Sequence, residues 1–138
     1  MLSFLRVWCV CLVLAASATA PFAQGTADSQ AGIDAVISRQ LDALKKGDGQ
    51  AAFAIASPSI QSIFQSPENF IGMVERGFPE LRRASGHRLL KLETVEGAVV
   101  ARVLVESPSG NVIARYEMIE IDGSWRINGC SLEARQDA

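Results

Sequence analysis

The sequence predicts an α+β fold, with three to four short helices packed on one face of a curved four-stranded antiparallel meander. Three observations carry that expectation. Apolar residues recur at spacings of three and four as far as Gly77, then at spacings near two from His87 onward. Capping and stop signals such as Gly47-Asp48 and Ser66-Pro67 divide the first half, while Glu96-Gly97 and Asp122-Gly123 mark tight turns in the second. Helices followed by a run of strands is the α+β order, and the helices must then cover the sheet.

The first helix shows Ile33, Val36, Ile37, Leu41 and Leu44 on one face. Asp28 or Ser29 suits its start, Lys45 and Lys46 suit its negative end, and Gly47 suits a left-handed stop. Asp48 offers a second cap, for a short helix over 49–57 that Pro58 ends. Residues 59–65 hold one more turn, with Ile60, Ile63 and Phe64 turned inward. Ser66 and Pro67 open another helix, a capping hydroxyl followed by proline at the first helical position. Its stripe is Phe70, Met73 and Val74, and Gly77, Phe78 and Pro79 close it.

The strands follow. Residues 87–95 carry Leu90 and Leu92. Residues 98–106 alternate Val99, Ala101, Val103 and Val105 against Val100 and Leu104. A loop over 107–111 leads to a third strand at 112–121, and the last strand places Trp125, Ile127 and Gly129 on one face. Sheet curvature under such a cover leaves a cone-shaped interior, open or filled. The other face, with Ile113, Ile119 and Ile121, is a candidate surface for a homodimer.

The N-terminus reads as an export signal. Arg6 precedes an apolar run over 7–16 and then small residues, the layout of a secretory signal peptide over 1–23. Ala18-Thr19-Ala20 fits the cleavage rule but is followed by Pro21; Ala16-Ser17-Ala18 and a cut after Ala23 are the alternatives. The run is shorter than the roughly 20 residues of a spanning helix. An uncleaved anchor is the rival reading. The expected order is thus a leader, a flexible lead-in over 24–31 and one domain over 32–134, in the periplasm.

With Arg6 removed, 12 basic residues face 15 acidic ones, a net charge of −3. No basic run stands out, so nucleic acid is not an expected partner. Cys9 and Cys11 leave with the leader, which leaves Cys130 without an intrachain partner. Its expected state is a buried, inert thiol. No His or Cys spacing builds a metal site, and no pattern calls for a cofactor.

The blocks GDGQAAFAIASPSIQSIFQSPENFIGMVERGFP and WRINGCSL together resemble a family of small exported bacterial proteins described as domain of unknown function 4864. The element order and the D-G-S-W-R-I ending also resemble the nuclear-transport-factor-2-like, or cystatin-like, superfamily. The resemblance spans roughly 33–132. It implies a single compact domain and an envelope location, and it implies no reaction. Members of the wider superfamily include isomerases and dehydratases that use a carboxylate with Tyr or His in the cone, and this chain has one Tyr and one His.

No residue is expected to be catalytic. Tyr116 shares a face with Ala114 and Met118, so its hydroxyl either meets a ligand or finds a backbone partner. Gln61 is a candidate for the mouth of a pocket, or an exposed turn residue. Trp125 is expected in the core or the cone wall. His87 is expected exposed at a strand start, and Cys130 with His87 is the one nucleophile–base pair on offer. Arg102, Arg115 and Arg126 with Glu93, Glu106 and Glu117 suit cross-strand ion pairs, each worth about 0.2–1 kcal/mol. The favoured function is non-enzymatic binding of a small apolar ligand or an envelope protein. A small isomerase- or dehydratase-like cavity enzyme using Tyr116 and a cavity carboxylate is the alternative.

Overall fold

In the computed structural model, residues 22–133 are described, with side chains from Ala27 onward. The apolar run of the expected leader and its candidate cleavage points up to Ala20 lie outside the described residues. Five helices, rather than three to four, precede four strands: α1 (Phe22–Lys46), α2 (Gly49–Ala54), α3 (Pro58–Phe64), α4 (Pro67–Gly77), α5 (Pro79–Arg82), β1 (Gly86–Val95), β2 (Ala98–Glu106), β3 (Val112–Ile121) and β4 (Ser124–Leu132). The strands form one open sheet in the order β1-β2-β3-β4, each neighbour antiparallel. The expected α+β class and meander are therefore present.

α1 is 25 residues long and begins at Phe22, so the stretch 24–31 is helical rather than a lead-in. No proline interrupts the chain between Pro21 and Pro58, and Gln24, Ala27, Gln30 and Ala31 favour helix. Asp28 and Ser29 consequently lie inside the helix instead of capping it. Ile33, Val36, Ile37, Leu41 and Leu44 are all buried, each worth about 1.5–3 kcal/mol relative to exposure. The end is as expected: Gly47 takes φ +72°, which side-chain-bearing residues resist.

The unexpected α5 serves that same end. Pro79 both stops α4 and sits in the first turn of the next helix. Arg82 of α5 donates from Nη1 to the carbonyls of Leu44 and Lys45, and from Nε to Glu75 Oε1 at 3.4 Å. A cation thereby meets the last-turn carbonyls and negative pole of α1.

Asp48 caps α2, its Oδ1 accepting from the Ala51 amide at 3.0 Å. α2 stops at Ala54, earlier than the sequence suggests, because the chain leaves the helix to pair with the sheet. Ile127 N donates to Ile55 O at 3.2 Å and Ser57 N donates to Ile127 O at 2.8 Å. Ser57 is 1% exposed and does two further jobs. Its Oγ accepts from the Ile60 amide at 3.3 Å, capping α3, and donates to Asn128 Oδ1 at 2.7 Å.

α3 turns Ile60 and Phe64 inward, but Ile63 points out and is 68% exposed. A seven-residue helix offers its neighbours a narrow stripe, and Ile63 falls outside it. Ser66 caps α4 through the Asn69 amide at 3.2 Å. Phe70 is buried and sits 5.7 Å from both Phe53 and Phe64, ring centre to ring centre. The three phenyl rings thus tie α2, α3 and α4 together over the core.

Under the helices lie Ala101, Val103 and Val105 of β2, Val112, Ala114, Tyr116 and Met118 of β3, and Ile127 of β4, all buried. Glu96-Gly97 and Asp122-Gly123 carry positive φ at both positions, the turn that suits a two-residue hairpin. Two bulges adjust the expected faces. In β1 the register shifts between Leu89 and Lys91, which leaves Leu90 unpaired and 41% exposed, while Leu89 and Leu92 pack against the core. In β4 Asn128 is the extra residue: Met118 pairs with Ile127 but Glu117 pairs with Gly129. Trp125 and Ile127 therefore face the helices together, whereas Gly129 lies on the far side and Cys130 turns inward opposite Tyr116.

The charged residues of the far face pair differently from expectation. Arg102 lies opposite Arg115, and reaches past it to hold Glu133 with two hydrogen bonds of 2.8 and 3.0 Å. This bidentate contact lowers Glu133 below the ordinary carboxylate range. Arg126 donates to Ala54 O at 2.8 Å, and Glu117 accepts from Asn128 Nδ2 at 2.8 Å.

Replacing Ser57 with Ala leaves Asn128 Oδ1 and the Ile60 amide without their shared partner. The expected cost is about 1–3 kcal/mol in a denaturant titration at unchanged m-value. A cost near zero would show that the seam between α3 and β4 does not depend on this hydroxyl.

Candidate functional site: a small apolar cavity

Where α3, α4 and α5 meet α1 and β4, the packing leaves a partly open cavity of about 240 Å3. α1 contributes Gln40 and Leu44, the α2–α3 junction Ala56, and α3 Ile60 and Phe64. α4 and α5 contribute Phe70, Met73, Val74 and Leu81, with Phe78 between them, and β4 closes the wall with Ile127, Cys130 and the backbone of Gly129. The wall is almost wholly apolar. The seam at Ile55–Ser57 explains the void: it fixes where α3 runs relative to β4, and the side chains between them do not fill the space.

Among the described residues, those that line the cavity include neither carboxylate nor imidazole. Its polar side chains are the carboxamide of Gln40 and the thiol of Cys130. Burial pushes the Cys130 thiol up to about 12, so at neutral pH it is protonated and a poor nucleophile. His87 is at the other edge strand, with Nε2 3.2 Å from Asp34 Oδ1 and its side chain 18% exposed. His87 thus faces α1 instead of solvent, and it cannot serve Cys130 as a base. Among the described residues no group of three or more His, Cys, Asp or Glu could hold a metal ion.

The three residues singled out from sequence go to three places. Tyr116 is fully buried behind the cavity wall, and among the described residues its hydroxyl has no hydrogen-bond partner. Gln61 donates from Nε2 to Phe53 O at 3.1 Å and Ala56 O at 3.2 Å, which braces the α2–α3 junction. Trp125 lies against Gly32 of α1 and lines an open groove beside β1. None of the three lines the apolar cavity. The residues that do include Gln40, which sequence reading passed over although a polar residue on the Ile33–Ile37–Leu44 stripe is a readable signal. Cys130 reaches the wall only through the bulge at Asn128, which no pattern in the sequence announces.

The fold and this cavity are built from chain that a family model covers almost entirely. The family described as domain of unknown function DUF4864 matches residues 26–138, and the chain belongs to it. No curated protein matches the chain.

Two outcomes follow for the buried groups. Between pH 9 and 10 the unfolded chain releases the Cys130 proton that the folded chain keeps, so stability falls as pH rises, by at most ~1.4 kcal/mol per unit. Above pH 10 Tyr116, raised by burial and then by Cys130, adds to the fall. Equilibrium unfolding of Cys130→Ala across this range should lack the first component; an unchanged slope would mean the thiol ionises freely in the folded protein. Tyr116→Phe removes an unpaired buried hydroxyl and should be neutral or stabilising by about 1 kcal/mol. A loss of more than 1 kcal/mol would reveal a partner for that hydroxyl.

Proposed function

We propose that this protein is an exported binding protein whose cavity holds one small, mainly apolar molecule, and that it performs no chemistry on it. The observation that carries this reading is the cavity of about 240 Å3 with its nearly unbroken apolar wall. An apolar cavity of roughly 150 Å3 suffices for benzene, so this one suits a molecule somewhat larger, a one- or two-ring compound or a short branched chain. It falls just under the usual range for drug-sized ligands, about 300–1,000 Å3, which favours a compact ligand.

Binding is favoured over catalysis by what lines the space. A cavity isomerase or dehydratase needs a group to take and return a proton. The wall offers a protonated thiol and an amide, and Tyr116 stands behind it. The leader-like N-terminus supports export to the periplasm, and helices over one face of a four-strand meander suit a nuclear-transport-factor-2-like or cystatin-like cone. A homodimer through the far sheet face has less support, because Arg102, Arg115, Glu117 and Glu133 interrupt its apolar residues.

Native mass spectrometry of the protein taken from its own cells is expected to show one added small mass per chain. Ala56→Leu, which fills the cavity from a position 1% exposed, is expected to abolish it. An empty wild-type protein that also fails to bind added toluene or indole would contradict the binding role.

A further inference from the structure

We infer that Gln40 is the recognition group of this cavity, and that the ligand carries a single neutral hydrogen-bonding head on an otherwise apolar body. The inference rests on the binding role proposed above and specifies its ligand class.

Gln40 lies on the buried stripe of α1 and is 4% exposed. A carboxamide offers two donors and an acceptor, and a buried one left unpaired is costly. Among the described residues the Gln40 side chain has no hydrogen-bond partner, and it is not among those with further contacts. Yet its amide atoms are not sealed in protein, since the Tyr116 hydroxyl alone is both enclosed and unpartnered among the described residues. The space Gln40 borders is the cavity. A polar side chain more than nine-tenths buried, unpaired and facing an apolar void is satisfied when an occupant supplies the missing partner.

The rest of the wall defines what that partner can be. Among the described residues no Lys, Arg or His lines the cavity, so a carboxylate or phosphate head would enter without a counter-charge. No Asp or Glu lines it either, so an ammonium head meets the same obstacle. Amide, lactam, alcohol and ketone heads remain, and an amide or lactam can both donate to and accept from the carboxamide. The remaining walls, Leu44, Ile60, Phe64, Val74 and Ile127, take the apolar body.

Phenylacetamide, propylbenzene and phenylacetate share size and shape and differ in the head, so they separate the possibilities. With the full chain, calorimetric or NMR titration should give the amide a clear advantage over phenylacetate. Amide binding should shift the Gln40 side-chain NH2 resonances, while propylbenzene should leave them near their free positions. Gln40→Leu, and Gln40→Met as a second variant of similar length, should weaken phenylacetamide at least about tenfold relative to propylbenzene. Equal weakening of both probes, or an unchanged preference with unmoved Gln40 resonances, would overturn the inference while leaving the cavity as a binding site. Binding of none of the three by wild-type protein would overturn the inference and the binding role together.

Discussion

The structure turns on the seam between residues 55–57 and β4. Ile55 and Ser57 exchange backbone hydrogen bonds with Ile127, and the Ser57 hydroxyl joins Asn128 to the first turn of α3. Asn128 is the bulged residue of β4, and its amide holds Glu117 on the far face. One short contact therefore stops α2, starts α3, fixes the bulge and turns Cys130 toward the helices. The two prolines of the segment fit this role. Pro58 and Pro67 each follow a capping serine and open a helix, so they restart helices at set points along the edge of the sheet.

The cavity is a consequence of that arrangement. Short helices pinned at both ends have few ways to slide inward, and the aromatic cluster of Phe53, Phe64 and Phe70 holds them at a fixed spacing. α5 braces the opposite side, with Arg82 anchored on the end of α1. Protein interiors ordinarily pack to crystal-like density, so an apolar void framed by so many local devices is a feature the framework maintains.

Much of the fold was legible in the sequence, for physical reasons that differ by element. Turns were clear, because Glu96-Gly97 and Asp122-Gly123 meet a steric demand that few residue pairs meet. Caps at Asp48 and Ser66 were equally clear, since a short polar side chain at a helix start has one obvious use. What escaped was set by tertiary contacts. The early end of α2 depends on a strand seventy residues away, and the extension of α1 to Phe22 rests on weak propensities with no stop signal against them. The bulges at Leu90 and Asn128 shift faces without leaving a composition mark, so simple alternation groups Gly129 with Trp125 and Ile127 although it lies on the opposite face. For the site, the rings of Tyr116 and Trp125 and the position of Gln61 in the broken helical stretch are the conspicuous features. The telling feature was quieter: a lone glutamine within an apolar helical stripe.

The central claim is that the seam holds α3 off β4 and leaves a persistent apolar space beside Gln40. A crystal structure of the protein under xenon pressure tests it most directly, because xenon enters stable apolar cavities regardless of head-group chemistry. The expected result is a xenon atom bounded by Ile60, Val74 and Cys130. Those side chains found in mutual contact, with no xenon between them, would contradict it.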